Sequence, residues 1–240
     1  VPSKRKRSKW KTLDGQLVDP VKPGTIKDCR EFIDKYSQVQ NFNIYGNERY
    51  VHQYISEEYP QNEINFDLNK IKLITIDIEV AAESGFPDVF NVAEELLLIT
   101  IQDYATKRII TWGSRPYGKN PQKKNHIYID CHSEEGLITR FVDWWTKNTP
   151  EVITGWNCEM YDIPYLMGRI ERIMGEKYAK RMSPWGICRR NEITIHGRPN
   201  IVYDIAGISV IDYLDLYKKS PATPNQESFK LDHIAMMELG

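Results

Sequence analysis

Ile71-Lys72-Leu73-Ile74-Thr75-Ile76-Asp77-Ile78-Glu79-Val80 is the stretch on which the fold turns. Its aliphatic and β-branched residues predict a strand. Period-two geometry then sets Asp77 and Glu79 on one face and Ile74, Ile76, Ile78 and Val80 on the other. Two neighbouring carboxylates in an apolar strand repel each other and lose water at a cost. A hard divalent cation relieves both penalties, because it prefers carboxylate oxygens. The same spacing also reads as Thr75, Asp77 and Glu79 forming the solvated face of an edge strand. The strand alone does not choose between these readings.

Outward from it, Leu96–Tyr104 and Lys107–Gly113 predict two more strands joined by a short Ala105-Thr106 turn, an antiparallel meander. Asn125–Cys131 adds a fourth. Ser133 caps a helix with Glu134 and Glu135 in its first turn, and Leu137, Phe141, Trp144 and Trp145 form its buried face. Glu151–Asn157 is a short apolar strand. It leads into a helix from Ile163 to Met182, with Asp162 as N-cap and Pro164 in the first turn. Asn200–Ile205 and Gly207–Asp212 close the order as strands, so the pattern is α/β with a mixed sheet. Residues 1–68 are polar by contrast, with one helix capped by Thr25 and carrying Ile26, Cys29, Ile33 and Tyr36 at helical spacing. The expected division is a small partial N-terminal domain, 1–68, and a larger domain, 69–240.

Composition bounds the function. The 240 residues are 41% hydrophobic and 27% charged, which excludes disordered and collagen-like classes. No run approaches the roughly 20 apolar residues of a membrane span. The first residues hold no apolar stretch of the secretory kind. A cytoplasmic location with no membrane partner is expected. The net charge of −1 is a cancellation. Residues 1–11 hold Lys4, Arg5, Lys6, Arg7, Lys9 and Lys11 with no acid, and Gly168–Arg198 is strongly basic, so the remainder is acidic. Basic segments suit a polyanion and an acidic remainder suits cations. Cys29, Cys131, Cys158 and Cys188 show no Cys-x-x-Cys pair of the kind that binds zinc.

A second feature sharpens the first. In Thr154-Gly155-Trp156-Asn157-Cys158-Glu159-Met160-Tyr161-Asp162 a strand ends and Asn157 and Asp162 occupy the turn into a helix. Singly, each residue reads equally as turn or cap. Together, Asp-x-Glu on a first strand and Asn-x4-Asp at a strand–helix junction form the layout of a two-metal nucleic-acid hydrolase. Such sites hold ions about 3.5–4 Å apart. Asp77 would bridge both ions, Glu79 would help hold the hydroxide-forming one, and Asp162 would serve the other. Asp77, Glu79 and Asp162 are thus the expected catalytic and metal-ligating residues, with Mg²⁺ or Mn²⁺ as cofactor.

These segments resemble the N-terminal region and 3′→5′ proofreading exonuclease domain of family B replicative DNA polymerases of the T-even bacteriophage type. ITIDIEV (74–80) is similar to that family's first exonuclease motif and TGWNCEMYDIPY (154–165) to its second. MGRIERIMGEKYAKRMSPWG (167–186) and GISVIDYLDLYKK (207–219) resemble segments between the second and third motifs, and the Thr25–Tyr36 helix extends the likeness more weakly. The resemblance implies a ribonuclease-H-like mixed sheet flanked by helices, a single-stranded DNA 3′ end as substrate, and a viral protein acting in a bacterial host. The remaining polymerase, downstream in the same chain or separate, is the implied protein partner. Residues expected at the nucleic acid are Phe86, in a loop with Gly85 and Pro87, together with Asn157 and Tyr161. Arg189, Arg190, His196 and Arg198, with Trp185 nearby, are expected along its backbone.

The sequence also departs from the family. The third motif, Tyr-x3-Asp, supplies a fourth carboxylate, and neither it nor His-x4-Asp occurs after Asp162. Asp204, Asp212, Asp215 and Asp232 are out of frame for it. The polymerase motifs are absent as well. The resemblance therefore implies a fragment that binds one metal weakly and cuts poorly alone. The competing expectation is a non-catalytic nucleic-acid-binding or scaffold half of a split polymerase, with RNA as an alternative polymer.

Overall fold

A computed structural model describes the chain apart from residues 5–6, 46–49, 61–66, 83–84, 119–123, 196 and 221–225, together with the side chains of Tyr50 and Gln53. The chain divides into two compact units, Val1–Phe66 and Asp67–Gly240. In the first, β1 (Trp10–Lys11) and β2 (Leu17–Val18) pair antiparallel, followed by α1 (Ile26–Tyr36) and α2 (Tyr50–Glu58). Thr25 caps α1 as expected, and the cap is reciprocal. Its hydroxyl accepts from the Asp28 N–H while the Asp28 carboxylate accepts from the Thr25 N–H at 2.7 Å. No residue of α1 is buried.

The second unit runs β3 (Leu73–Val80), β4 (Leu96–Asp103), β5 (Ile109–Gly113), β6 (His126–Asp130), α3 (Glu134–Lys147), β7 (Val152–Gly155), α4 (Asp162–Met174) and α5 (Glu176–Ala179). It continues through β8 (Cys188–Ile195), β9 (Arg198–Ile205), β10 (Ser209–Asp212), α6 (Tyr213–Lys219) and α7 (Leu231–Leu239). Six strands form one mixed sheet in the order β10-β7-β3-β4-β5-β6. The β3-β4-β5 meander is antiparallel, whereas β6, β7 and β10 join parallel to their neighbours. This is the ribonuclease-H-like mixed sheet flanked by helices. Ile74, Ile76 and Ile78 of β3 and Ile99 and Ile101 of β4 are buried with Leu137, Phe141 and Trp145 of α3 and Ile163, Leu166 and Ile170 of α4.

Three expectations are corrected. β3 is an interior strand, so its acidic face is not an edge. The helix after Asp162 stops at Met174, because Gly175 adopts φ +86° and breaks the ladder; a short helix and a 3₁₀ turn carry the chain on to Met182. Cys188–Ile195 is a strand that periodicity missed. It pairs only with β9 in a two-stranded ribbon and is exposed over most of its length, so it carries no apolar alternation. No helix among the described residues is long and apolar enough to cross a membrane.

Candidate active site

The two acid-bearing segments are joined by one hydrogen bond. β7 pairs with β3 only from Leu73 to Thr75, and there the ladder ends. Beyond it the Ile78 N–H, between Asp77 and Glu79, donates to Asp162 Oδ1 at 3.0 Å. A side-chain carboxylate thus replaces a backbone acceptor in the middle of a sheet. Gly155, at the end of β7, allows the approach, since a Cβ there would stand 2.7 Å from the Ile76 carbonyl oxygen. The chain then reverses through Asn157, at φ +64°, a left-handed value that asparagine tolerates. Its carbonyl accepts from the Met160 and Tyr161 N–H groups.

Asp162 is therefore not the N-cap that its position suggested. Tyr161 occupies that place and makes no side-chain cap, while Asp162 is the first helical residue and sends its carboxylate to β3. Asp162 is 4% exposed. Burial lifts its pKa to about 7, and the charges of Asp77 and Asp212 add to this against the opposing hydrogen bonds of the Ile78 and Asp162 N–H groups. Asp77 keeps an accessible face, yet loss of water around it also raises its pKa. Burial raises the Tyr161 hydroxyl to about 12, with Tyr165, Asp162 and Glu79 contributing in that order. Glu79 itself is exposed on the same face of β3 as Asp77.

Among the described residues no Lys, Arg or His lies within ion-pair distance of Asp77, Glu79 or Asp162. A buried carboxylate with a like charge beside it and no cation is a donor set that fits a hard divalent ion. Among the described residues no three Asp, Glu, His or Cys side chains are grouped closely enough to hold a metal ion, so the pair Asp77 and Asp162 is the donor set the structure assembles.

Asp212 was set aside in the sequence because its spacing fits no motif. The structure brings it to the site wall, 7% exposed at the end of β10. Its carboxylate accepts from the N–H groups of Asn157 at 3.1 Å, Glu159 at 3.0 Å and Leu214 at 2.9 Å. It anchors the Asn157–Asp162 turn and caps α6. An aspartate directly before the helical pattern Tyr213–Lys219 was the available signal, and it reported only the cap.

Beside the acids lies a cleft of about 660 Å³. Phe86, Val89, Met160, Tyr161, Ile195 and Leu214 give it apolar walls, and Asp88, Glu159, Asp212 and Asp215 line it with acid. Asp77, Glu79 and Asp162 lie outside its lining, which reaches them through Tyr161. Phe86 is 85% exposed and its ring packs on that of Tyr161 at 5.0 Å. Asn157 lines the same cleft.

The arginines expected at DNA do not line this cleft, although Arg198 pairs across the β8–β9 ribbon with Ile195, which does. Arg189 pairs with Asp204 at 2.9 Å and Arg190 with Glu192 at 3.1 Å on the β8–β9 ribbon, whereas Arg198 is exposed at its far end. His196 lies outside the described residues. Arg169, one of the basic residues between Gly168 and Arg198, is buried against Glu134.

Comparison with known proteins identifies the family. The chain is 32% identical to the DNA-directed DNA polymerase of Escherichia phage RB69, over 89% of its own length and 26% of that polymerase. It is 30% identical to the DNA-directed DNA polymerase of Enterobacteria phage T4, over 98% of the chain and 28% of that protein. A DNA polymerase of Thermococcus litoralis is 33% identical over 43% of the chain and 6% of its own length. The chain thus spans about a quarter of the phage relatives it matches. The profile of the DNA polymerase family B exonuclease domain matches residues 28–234. The chain belongs to the family B DNA polymerase exonuclease-domain family.

Proposed function

We propose that this chain carries a metal-dependent 3′→5′ exonuclease site acting on the 3′ end of single-stranded DNA, as the proofreading part of a DNA polymerase in the cytoplasm of an infected bacterium. The observation that supports this most is the Ile78–Asp162 hydrogen bond, which draws Asp162 beside Asp77, where no described Lys, Arg or His comes within ion-pair distance. Asp77 and Asp162 would hold Mg²⁺ or Mn²⁺, with Glu79 on the accessible side. The bound metal would supply an activated water and a positive charge at the leaving oxygen.

The chain's own residues do the rest. Phe86 and Tyr161 present ring faces on which a terminal base stacks, a contact tolerant of sequence. With its pKa at about 12, the Tyr161 hydroxyl stays protonated at neutral pH and donates to a phosphate oxygen or a water. Asp88, Glu159, Asp212 and Asp215 outnumber Lys218 in the cleft lining and disfavour phosphate, so base and sugar enter it while the backbone stays outside. Among the described residues Arg198 makes no ion pair of the kind that holds Arg189 and Arg190, which favours it for the backbone contact.

A second reading, a non-catalytic nucleic-acid-binding or scaffold part of a polymerase, has specific support. The Asp212 carboxylate, on the cleft wall, accepts from three N–H donors, which commits it to holding the Asn157–Asp162 turn and the start of α6 rather than to a metal. One experiment separates the readings: Mg²⁺- or Mn²⁺-dependent degradation of 3′-labelled single-stranded DNA by this chain, by Asp77→Ala, and by a longer chain joined to a relative's Tyr-x3-Asp segment. The exonuclease reading expects cleavage that Asp77→Ala abolishes and the longer chain increases. Cleavage that survives Asp77→Ala would sink the assigned mechanism. Binding without cleavage in both chains would favour the second reading.

A further inference from the structure

Phe86 is the exposed ring of the long β3–β4 connection, and its own contacts do little to hold it. Farther along that connection the chain is gripped from one side. Four consecutive carbonyls, of Asn91, Val92, Ala93 and Glu94, all accept from side chains of α4. The Tyr165 hydroxyl donates to Glu94 O at 2.8 Å, Arg169 Nη1 to Val92 O and Ala93 O at 2.9 Å each, and Arg172 Nη1 to Asn91 O at 2.8 Å. Positions 165, 169 and 172 are i, i+4 and i+7, so the donors form one stripe.

Gly168 completes that stripe. Val92 is 7% exposed with φ +42°, a strained value for a β-branched residue, and a Cβ on Gly168 would lie 3.1 Å from its Cγ1. The other edge of Arg169 is held by Glu134 through Nε–Oε1 at 2.6 Å and Nη2–Oε2 at 2.7 Å, and Glu134 also accepts from the Leu96 N–H. This is more than a surface loop needs to stay in place.

The same helix begins at the active site. Tyr161 precedes Asp162 and packs against both Phe86, at 5.0 Å, and Tyr165, at 5.9 Å. Asp88 links the gripped carbonyls back toward Phe86, its carbonyl accepting from the Val92 N–H and its carboxylate from the Phe90 N–H. One element therefore carries the acid at its first residue and the loop of the stacking ring along its next three turns.

We infer that Tyr165, Gly168, Arg169 and Arg172 are positioning residues that keep Phe86 in register with Asp162, so that a base stacked on Phe86 sets its phosphodiester at the acids. The inference rests on the stacking role proposed above for Phe86. It adds that the geometry of stacking is set from α4.

Arg169 variants lose a buried ion pair and fail to separate positioning from folding. The test uses Tyr165→Phe/Arg172→Ala, which keeps that pair and the Tyr165 ring. The probe is a single-stranded oligonucleotide with a 3′-terminal 2-aminopurine, bound to the full chain with Ca²⁺ as the cation. Fluorescence reports stacking and titration reports affinity. Amide exchange over residues 86–95 reports the loop without DNA. Lys177→Ala controls for the lost positive charge.

Phe86→Ala is expected to raise the bound probe's emission. The double variant is expected to move emission the same way, weaken affinity about three- to tenfold, and speed exchange at residues 86–95. Lys177→Ala should do none of these. If Phe86→Ala shifts the probe while the double variant matches the parent, the positioning role is overturned and the stacking role stands. If Phe86→Ala also matches the parent, the stacking role fails and the inference with it. Unchanged exchange at residues 86–95 in the double variant overturns the inference by itself.

Discussion

Helices α1 and α4, of 11 and 13 residues, begin in opposite ways. α1 has a reciprocal cap, Thr25 with Asp28, and buries nothing. α4 has no side-chain cap, although it has an aspartate at its first position, and it buries Ile163, Pro164, Tyr165, Leu166, Met167 and Ile170 along with Asp162 and Arg169. The first helix is specified by neighbours in sequence and the second by neighbours in space. The aspartate that would have stabilised the N-terminus of α4 is instead turned to β3 and kept close to another acid. Local stability is given up at that point, and packing over the rest of the helix compensates.

The largest test of this contrast is Arg169→Met. Removing the guanidinium leaves the partly buried Glu134 carboxylate without its cation and frees two carbonyls, so urea unfolding should show a loss of about 3 kcal/mol. A loss below 1 kcal/mol would mean that α4 does not depend on its partners as described.

Asp162→Asn should act in the opposite direction. With a folded pKa of about 7, above the ordinary carboxyl value, Asp162 supports the fold fully only while protonated, below about pH 4. That contribution is lost as pH rises through about 7. Asparagine still accepts from the Ile78 N–H and has no charge to bury. Its unfolding midpoint should therefore exceed the parent's at pH 8, by at most about 4 kcal/mol in stability, and the two should converge near pH 4. Added Mg²⁺ should stabilise the parent at pH 8 and leave the variant unmoved. Equal midpoints at pH 8 would contradict the assigned environment of Asp162.

Gly155→Ala is smaller. The new methyl meets the Ile76 carbonyl and Cys158, so the entry to α4 must shift, at about 1–3 kcal/mol. Smallest is Thr25→Ala, worth about 1 kcal/mol and confined to faster amide exchange in α1. If Thr25→Ala proved the more damaging of the two, the contrast between the helices would be reversed.

Legibility follows the same division. Strand β3, the meander, the α3 cap and the α1 cap were readable because each depends on residues two to four apart. Asp77, Glu79 and Asp162 were readable as candidates because their spacing within each segment is unusual. Strand β8 was not readable, since both of its faces meet solvent and it has no alternation to detect. Arg169 looked like an ordinary basic residue on a basic helix, because nothing nearby in sequence announces Glu134 or the carbonyls of Val92 and Ala93. Asp212 carried only a capping signal, and its hold on the Asn157 turn crosses 55 residues.

The sequence by itself determined which residues are acidic, apolar or basic along each segment, and with them the order of strands and helices from β3 to α4 and the family. Only the tertiary structure decided that Asp162 serves β3 rather than its own helix, that Arg169 turns inward, and that one helix spans both the acids and the loop of Phe86. Periodicity records which way a side chain faces within its element. Burial, charge coupling and hydrogen-bond partners depend on what the folded chain brings alongside, and for these residues the partner lies 35 to 84 positions away.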